Sequence, residues 1–180
     1  MGALRSTVDT VTQQAAGYRR PDGAVRGYAA SMAVFATAAA GLSALAARTG
    51  RRAPATTPLD LVLLGLATHK ISRIIAKDAV TSPVRAPFTR FEGSAGNAEL
   101  TEEVRGSGPR KAIGELVTCP FCLGPWVATA LVAGQTFLPG VARPATMVFS
   151  AVAISDALQL GYAAAQQRVP PPEERAVGDH

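Results

Sequence analysis

The stretch GYAASMAVFATAAAGLSALAA, Gly27 to Ala47, runs for 21 residues without a charged side chain, and its reading decides the fold. A helix rises about 1.5 Å per residue and a bilayer's hydrocarbon core is about 30 Å thick, so about 20 apolar residues cross it. Arg26 and Arg48 bracket the stretch and suit the headgroup level at either end. Ala, Gly and Ser dominate it, small side chains that let membrane helices approach closely. A surface helix of a soluble bundle shows a polar stripe every 3.6 residues, and this one has none. Lipid is the expected solvent of the segment.

Two further runs lie downstream. Leu116 to Ala142 carries no charge, but Pro120, Gly124 and Pro125 interrupt its start, so its spanning part is expected from Leu123 to Pro139. Pro144 to Gln167 is interrupted only by Asp156. Between them, Pro139-Gly140 and then Pro144 predict a tight turn and an antiparallel helical hairpin. A less obvious segment is LDLVLLGLATHKISRIIAKDAV after Thr57-Pro58. On a helical wheel Leu61, Leu63, Leu64, Ala67, Ile71, Ile74 and Ile75 share one side, and His69, Lys70, Arg73 and Lys77 the other. Two readings stand for it: a spanning helix with a basic second half, or an amphipathic helix lying on the membrane surface. We adopt the first.

The expected fold is therefore all-α, a polytopic membrane protein with about four transmembrane helices near 27–47, 58–78, 123–139 and 144–167. The membrane domain covers 27–168 and includes a cytoplasmic loop over 79–118, in which the Gly-, Ser- and Glu-rich stretch 93–110 is expected to be mobile. Residues 1–26 form a cytoplasmic leader, where Leu4, Val8, Val11, Ala15 and Tyr18 have the spacing of a short surface helix. The tail 169–180 is expected to be disordered.

Composition narrows the functional classes. The chain has 180 residues, 48% hydrophobic and 17% charged, with a net charge of +5. That length argues against a large multidomain enzyme. The basic residues are scattered, which speaks against nucleic acid as a partner. With both termini inside, twelve Lys and Arg fall on the cytoplasmic side and four outside, so the positive charge reads as topology. The expected location is the bacterial cell membrane, multi-pass, with both termini cytoplasmic. Arg19-Arg20 ahead of an apolar run suggests a twin-arginine signal, but Pro21-Asp22-Gly23 stands where that signal needs apolar residues.

The sharpest local feature is Cys119-Pro120-Phe121-Cys122-Leu123-Gly124-Pro125-Trp126. Two cysteines exclude a disulfide scaffold. At a helix start, the unsatisfied amides favour thiolate, which makes Cys119 and Cys122 candidates for redox or metal chemistry. A closed zinc site needs four ligands. The only histidines are His69 and His180. Zinc would therefore need His69 with a carboxylate such as Glu115, or Cys119 and Cys122 shared between two chains. The bland reading is two small reduced cysteines packing a broken helix start against an interfacial Trp126. It leads, and no cofactor is expected.

Lys70-Ile71-Ser72-Arg73-Ile74-Ile75-Ala76-Lys77-Asp78, then Pro83-Val84-Arg85, then Glu115-Leu116-Val117 and the cysteine stretch, together resemble a family of bacterial membrane proteins. It is the domain of unknown function family 1360, which includes a sporulation-associated member. The resemblance covers Leu59 to Asp156, and its motif residues here are Arg73, Asp78, Cys119, Cys122, Gly124 and Trp126. It implies an integral membrane protein without an assigned activity.

Charges inside a bilayer are costly and face a partner. Asp156, central in its run, is expected to pair with Lys70 or Arg73 as an intramembrane charge pair. Arg85 and Arg90, in a proline-extended segment with Phe88 and Phe91, are candidates for anionic lipid headgroups. No catalytic residue emerges: there is no phosphate-binding glycine loop, no Ser-His-Asp set and no paired carboxylates in context. The expected function is a structural or interaction component of the bacterial cell envelope, not an enzyme. Its partners are the bilayer and either further copies of itself or another membrane protein. The alternative is a thiol-dependent redox or metal-handling membrane protein using Cys119 and Cys122.

Overall fold

A computed structural model describes residues 24–96 and 98–168, so the surface helix expected in the leader and the disorder expected of the tail concern residues outside those described. In chain order the helices are α1 (Ala24–Arg48), α2 (Pro58–Lys77), α3 (Ser82–Arg85), α4 (Gly108–Thr118), α5 (Pro120–Phe137) and α6 (Pro139–Gln167). A 3-10 turn, Ala79–Thr81, joins α2 to α3, and strands β1 (Thr89–Gly96) and β2 (Glu99–Val104) lie between α3 and α4.

The all-α expectation is corrected by that strand pair. β1 and β2 are antiparallel, with Thr89 opposite Val104 and Phe91 opposite Glu102, and register shifts at Phe91/Gly93 and Ser94/Gly96. Along β2, Leu100, Glu102 and Val104 turn inward while Thr101 and Glu103 stay exposed, the period of two that a half-buried strand demands. The stretch 93–110, expected to be mobile, thus holds the second half of β1, all of β2 and the first residues of α4. An isolated bridge between Asp78 and Glu99, with the Ala79 amide donating to Ala98 O at 2.9 Å, ties the hairpin to the end of α2.

Among the described residues two helices are long and apolar enough to cross a membrane, Arg26–Arg48 and Pro139–Gln167. A third crossing arises if α4 and α5, bent by 79° at their break, count as one. α2 does not reach that standard. The expected helix starts at 123 and 144 also shift. α5 begins at Pro120 and carries Pro125 within it, and α6 begins at Pro139 and carries Pro144. Pro120 and Pro139 stand at the first helical position, where an amide would lack an intrahelical partner anyway, whereas Pro125 and Pro144, five residues further on, each remove one i→i−4 hydrogen bond from the helix.

The chain divides into two compact units. The first holds residues 24–50 and 72–126. In it α4 is gripped from two sides: a Cβ at Gly27 would meet the Ala112 Cβ at 2.5 Å, and one at Gly114 would meet Val104 Cγ1 at 2.5 Å. Residues 112 and 114 lie on opposite sides of an α-helix, so small residues admit α1 on one flank and the hairpin on the other. The second unit holds residues 51–71 and 127–168. There α6 buries a stripe of small residues, Ala142, Thr146, Ser150 and Ala153. Ser150 Oγ donates to Leu63 O of α2 at 2.6 Å, and the chain folds back at Leu138 so that Gln135 Nε2 donates to Thr146 Oγ1 at 3.3 Å.

Candidate functional site

The cysteine stretch forms the junction between α4 and α5. Cys119 ends α4 in an extended conformation and begins α5 in the role of its N-cap. Its carbonyl accepts the Leu123 amide at 3.1 Å, and its Sγ accepts the Cys122 amide at 3.2 Å. A side-chain acceptor for one of the four orphan amides is what a helix start requires. Both cysteines are free; Cys119 is half-buried and Cys122 exposed. Burial, and then the hydrogen bond and charge of Cys119 together with the Glu115 carboxylate, push the Cys122 thiol up to about 11. Cys122 thus stays a protonated thiol through neutral pH.

A groove of about 840 Å³ opens beside this junction, lined by α1 and α4 and by the start of α5. Its walls are largely apolar, with Met32, Phe35 and Trp126 among them. Phe35 and Trp126 meet edge to face, centroids 5.1 Å apart and planes at 68°. Among the described residues Glu115 is the one charged side chain in the lining, and it accepts a hydrogen bond from the Tyr28 hydroxyl. Cys119 and Cys122 line the same groove; His69 does not. Among the described residues no three His, Cys, Asp or Glu side chains come together to hold a metal ion.

The charged residues fall into two settings. In the first unit, α2 ends at Lys77 with its last carbonyls unpaired by the helix, and Thr81 and Arg85 fold back to take them. Thr81 Oγ1 donates to Ile74 O, while Arg85 donates from Nη1 to Ile75 O at 2.8 Å and from Nη2 to Asp78 O at 3.0 Å. A cation at a helix C-terminus is favoured by the macrodipole as well. Arg85 Nη1 also donates to Thr81 Oγ1 at 2.8 Å, and Nε pairs with Glu102 of β2. The Arg85 side chain is fully buried. This corrects its assignment to lipid headgroups, because every donor group is turned inward onto protein. Arg90 is exposed and stands opposite Glu103.

Arg73 pairs with Glu99 of β2, its Nε 3.1 Å from Oε1. In the second unit Lys70 Nζ lies 2.8 Å from Asp156 Oδ2, with the lysine side chain 16% exposed and the aspartate 43%. Sequence reasoning missed Glu99 and Glu102. The one trace of them in the sequence is the alternation of Leu100, Glu102 and Val104, which the acid at its centre masks. Of the remaining motif positions, Asp78 contributes its backbone carbonyl to Thr81 and Arg85. A Cβ at Gly124 would meet nothing within 4 Å, so close packing does not demand glycine there.

Over residues 63–162 the sequence matches the family described as "Protein of unknown function (DUF1360)". It is 34% identical over 88 residues to a sporulation protein, YjcA, of Bacillus subtilis (strain 168), an alignment covering 47% of this chain and 75% of the relative. It is 29% identical over 93 residues to the UPF0713 protein YngL of the same organism, covering 51% of this chain and 69% of that relative. No solved structure matches.

Proposed function

We propose that this chain, which belongs to the DUF1360 family, is an integral membrane protein acting as a structural or interaction component of the bacterial cell envelope. The observation that carries the reading is apolar surface left uncovered on long helices. In α1, none of the apolar window of Arg26–Arg48 is buried, and in α6 only 11% of the corresponding window is. Met32, Val34, Met147, Val148, Leu158 and Leu160 are each more than half exposed. Soluble monomers rarely expose contiguous apolar patches beyond a few hundred Å². Lipid covers such surface at no cost.

In this reading α1 and α6 span, and the stretch from Leu123 to Pro139, most of it in α5, makes a third crossing. α2 makes the fourth, with Lys70 neutralised by Asp156 within the bilayer and its basic end at the cytoplasmic face. The excess of Lys and Arg on the side of the termini supports that orientation. One relative's sporulation name is compatible with an envelope role. Alkaline carbonate extraction of membranes tests the reading: the chain is expected to stay in the pellet, and release into the supernatant without detergent overturns it.

A second reading, thiol-dependent redox or metal handling, rests on Cys119 Sγ lying at a helix start and on both thiols facing one groove. It requires rapid alkylation of Cys119 near neutral pH, and an inert Cys119 leaves the structural reading standing.

A further inference from the structure

We propose that Cys119 and Cys122 reduce disulfides by thiol–disulfide exchange, Cys119 attacking the substrate and Cys122 resolving the mixed disulfide that forms. The inference rests on the thiol reading of this junction and deepens it, by naming the substrate class and dividing the work between the two sulfurs. Three observations carry it.

The first is proximity. Both cysteines are free, and they stand three positions apart across the start of α5, where side chains at that spacing are neighbours. A hydrogen bond joins the two side chains. The second is the setting of Cys119. Its Sγ accepts the Cys122 amide at 3.2 Å as the cap of α5, and a sulfur facing a free amide at a helix start is placed as attacking cysteines are. The third is the setting of Cys122, which is exposed to solvent. Burial of part of the thiol, then the hydrogen bond and charge of Cys119, keep it protonated through neutral pH, so it does not compete for the substrate. Once Cys119 is held in a mixed disulfide its charge is gone, and that share of the restraint on Cys122 goes with it.

The exchange needs only the dithiol and a disulfide, RSSR. The Cys119 thiolate bonds to one sulfur of RSSR, whose S–S bond breaks to release RS⁻. This RS⁻ takes the proton of Cys122. Cys122 Sγ then bonds to Cys119 Sγ, the Cys119–SR bond breaks, and a second RS⁻ leaves and takes a proton from water. RSSR is reduced to two RSH, and the dithiol is oxidised to an internal disulfide. Excess small thiol reverses the exchange and restores the pair.

The full chain in detergent micelles is treated at neutral pH with hydroxyethyl disulfide, quenched in acid and weighed by mass spectrometry. The unmodified chain is expected to lose two hydrogens, keep no adduct and release two molecules of mercaptoethanol. Cys122→Ser is expected to hold one mercaptoethanol on Cys119. Cys119→Ser keeps an acceptor at the helix cap and so spares the fold. It is expected to react roughly tenfold more slowly than Cys122→Ser, because burial alone still favours the thiol over the attacking thiolate at Cys122. A mixed disulfide that persists in the unmodified chain overturns the inference, since nothing then resolves it. Equal rates in the two single variants overturn it as well. So does an unmodified chain that ignores the disulfide while iodoacetamide labels Cys119 rapidly, and in that case the thiol reading survives as metal handling. If iodoacetamide also leaves Cys119 untouched, the thiol reading falls together with the inference.

Discussion

Arg85 and Lys70 are cations only fifteen positions apart, and the protein satisfies them in opposite ways. Arg85 is fully buried and donates to two backbone carbonyls, one hydroxyl and one carboxylate. Lys70 meets a single carboxylate, and that carboxylate is 43% exposed. The guanidinium fork reaches acceptors on three segments at once, so Arg85 organises the α2 end, the 3-10 turn and β2 around itself. The lysine ammonium is a point charge, and it does one thing, which is to neutralise an aspartate on an otherwise apolar helix. One cation is a hub of local architecture; the other is a counter-charge.

If the contrast holds, Arg85→Ala has the largest effect of the changes considered. It strands Glu102, whose side chain is 6% exposed, and frees the α2 carbonyls. A loss of about 3–5 kcal/mol is expected for the first unit, as for other buried pairs broken from one side. Hydrogen exchange at the β2 amides reads it, with protection lost at Leu100 to Val104; unchanged protection would break the comparison.

Gly114→Val is expected to rank next, costing up to about 3 kcal/mol as overpacking, because its Cβ enters space held by Val104 Cγ1 and Phe88 O. Thermal denaturation in detergent micelles measures it, and the drop should come without loss of the Lys70–Asp156 contact. Asp156→Asn leaves Lys70 without its counter-charge at membrane depth and is expected to cost about 2.5 kcal/mol, short of the Arg85→Ala loss. A loss as large as that of Arg85→Ala would mean the pair is a hub after all.

The apolar helices were legible because length and missing charge are one-dimensional signals. α2 was placed within a residue at its C-terminal end, from 58–78 to Pro58–Lys77, since Thr57-Pro58 opens it and Asp78 follows it. The hairpin was not legible. Its middle inward position is Glu102, and an acid there reads as a solvent-facing residue until Arg85 is known to lie opposite. The partition of Arg73 and Lys70 between Glu99 and Asp156 was hidden for the same reason: it depends on strand register, which no window of sequence displays. The groove was invisible as well, being assembled from α1, α4 and the start of α5, which lie some eighty residues apart in the chain. The cysteines drew attention to its edge, but the aromatic pair that shapes it joins Phe35 to Trp126.

The two glycines at the contacts of α4, Gly27 on its neighbour α1 and Gly114 within it, carry a mechanical consequence. With α1 touching it through Gly27 against Ala112, and β2 through Val104 against Gly114, the eleven-residue helix has close neighbours on opposite flanks and only the short, stiff Ala112 and Val104 side chains between them. Such a helix behaves as a stiff spacer. A push or tilt delivered to α1 is passed on to the strand pair, not absorbed by rotamer changes along the way.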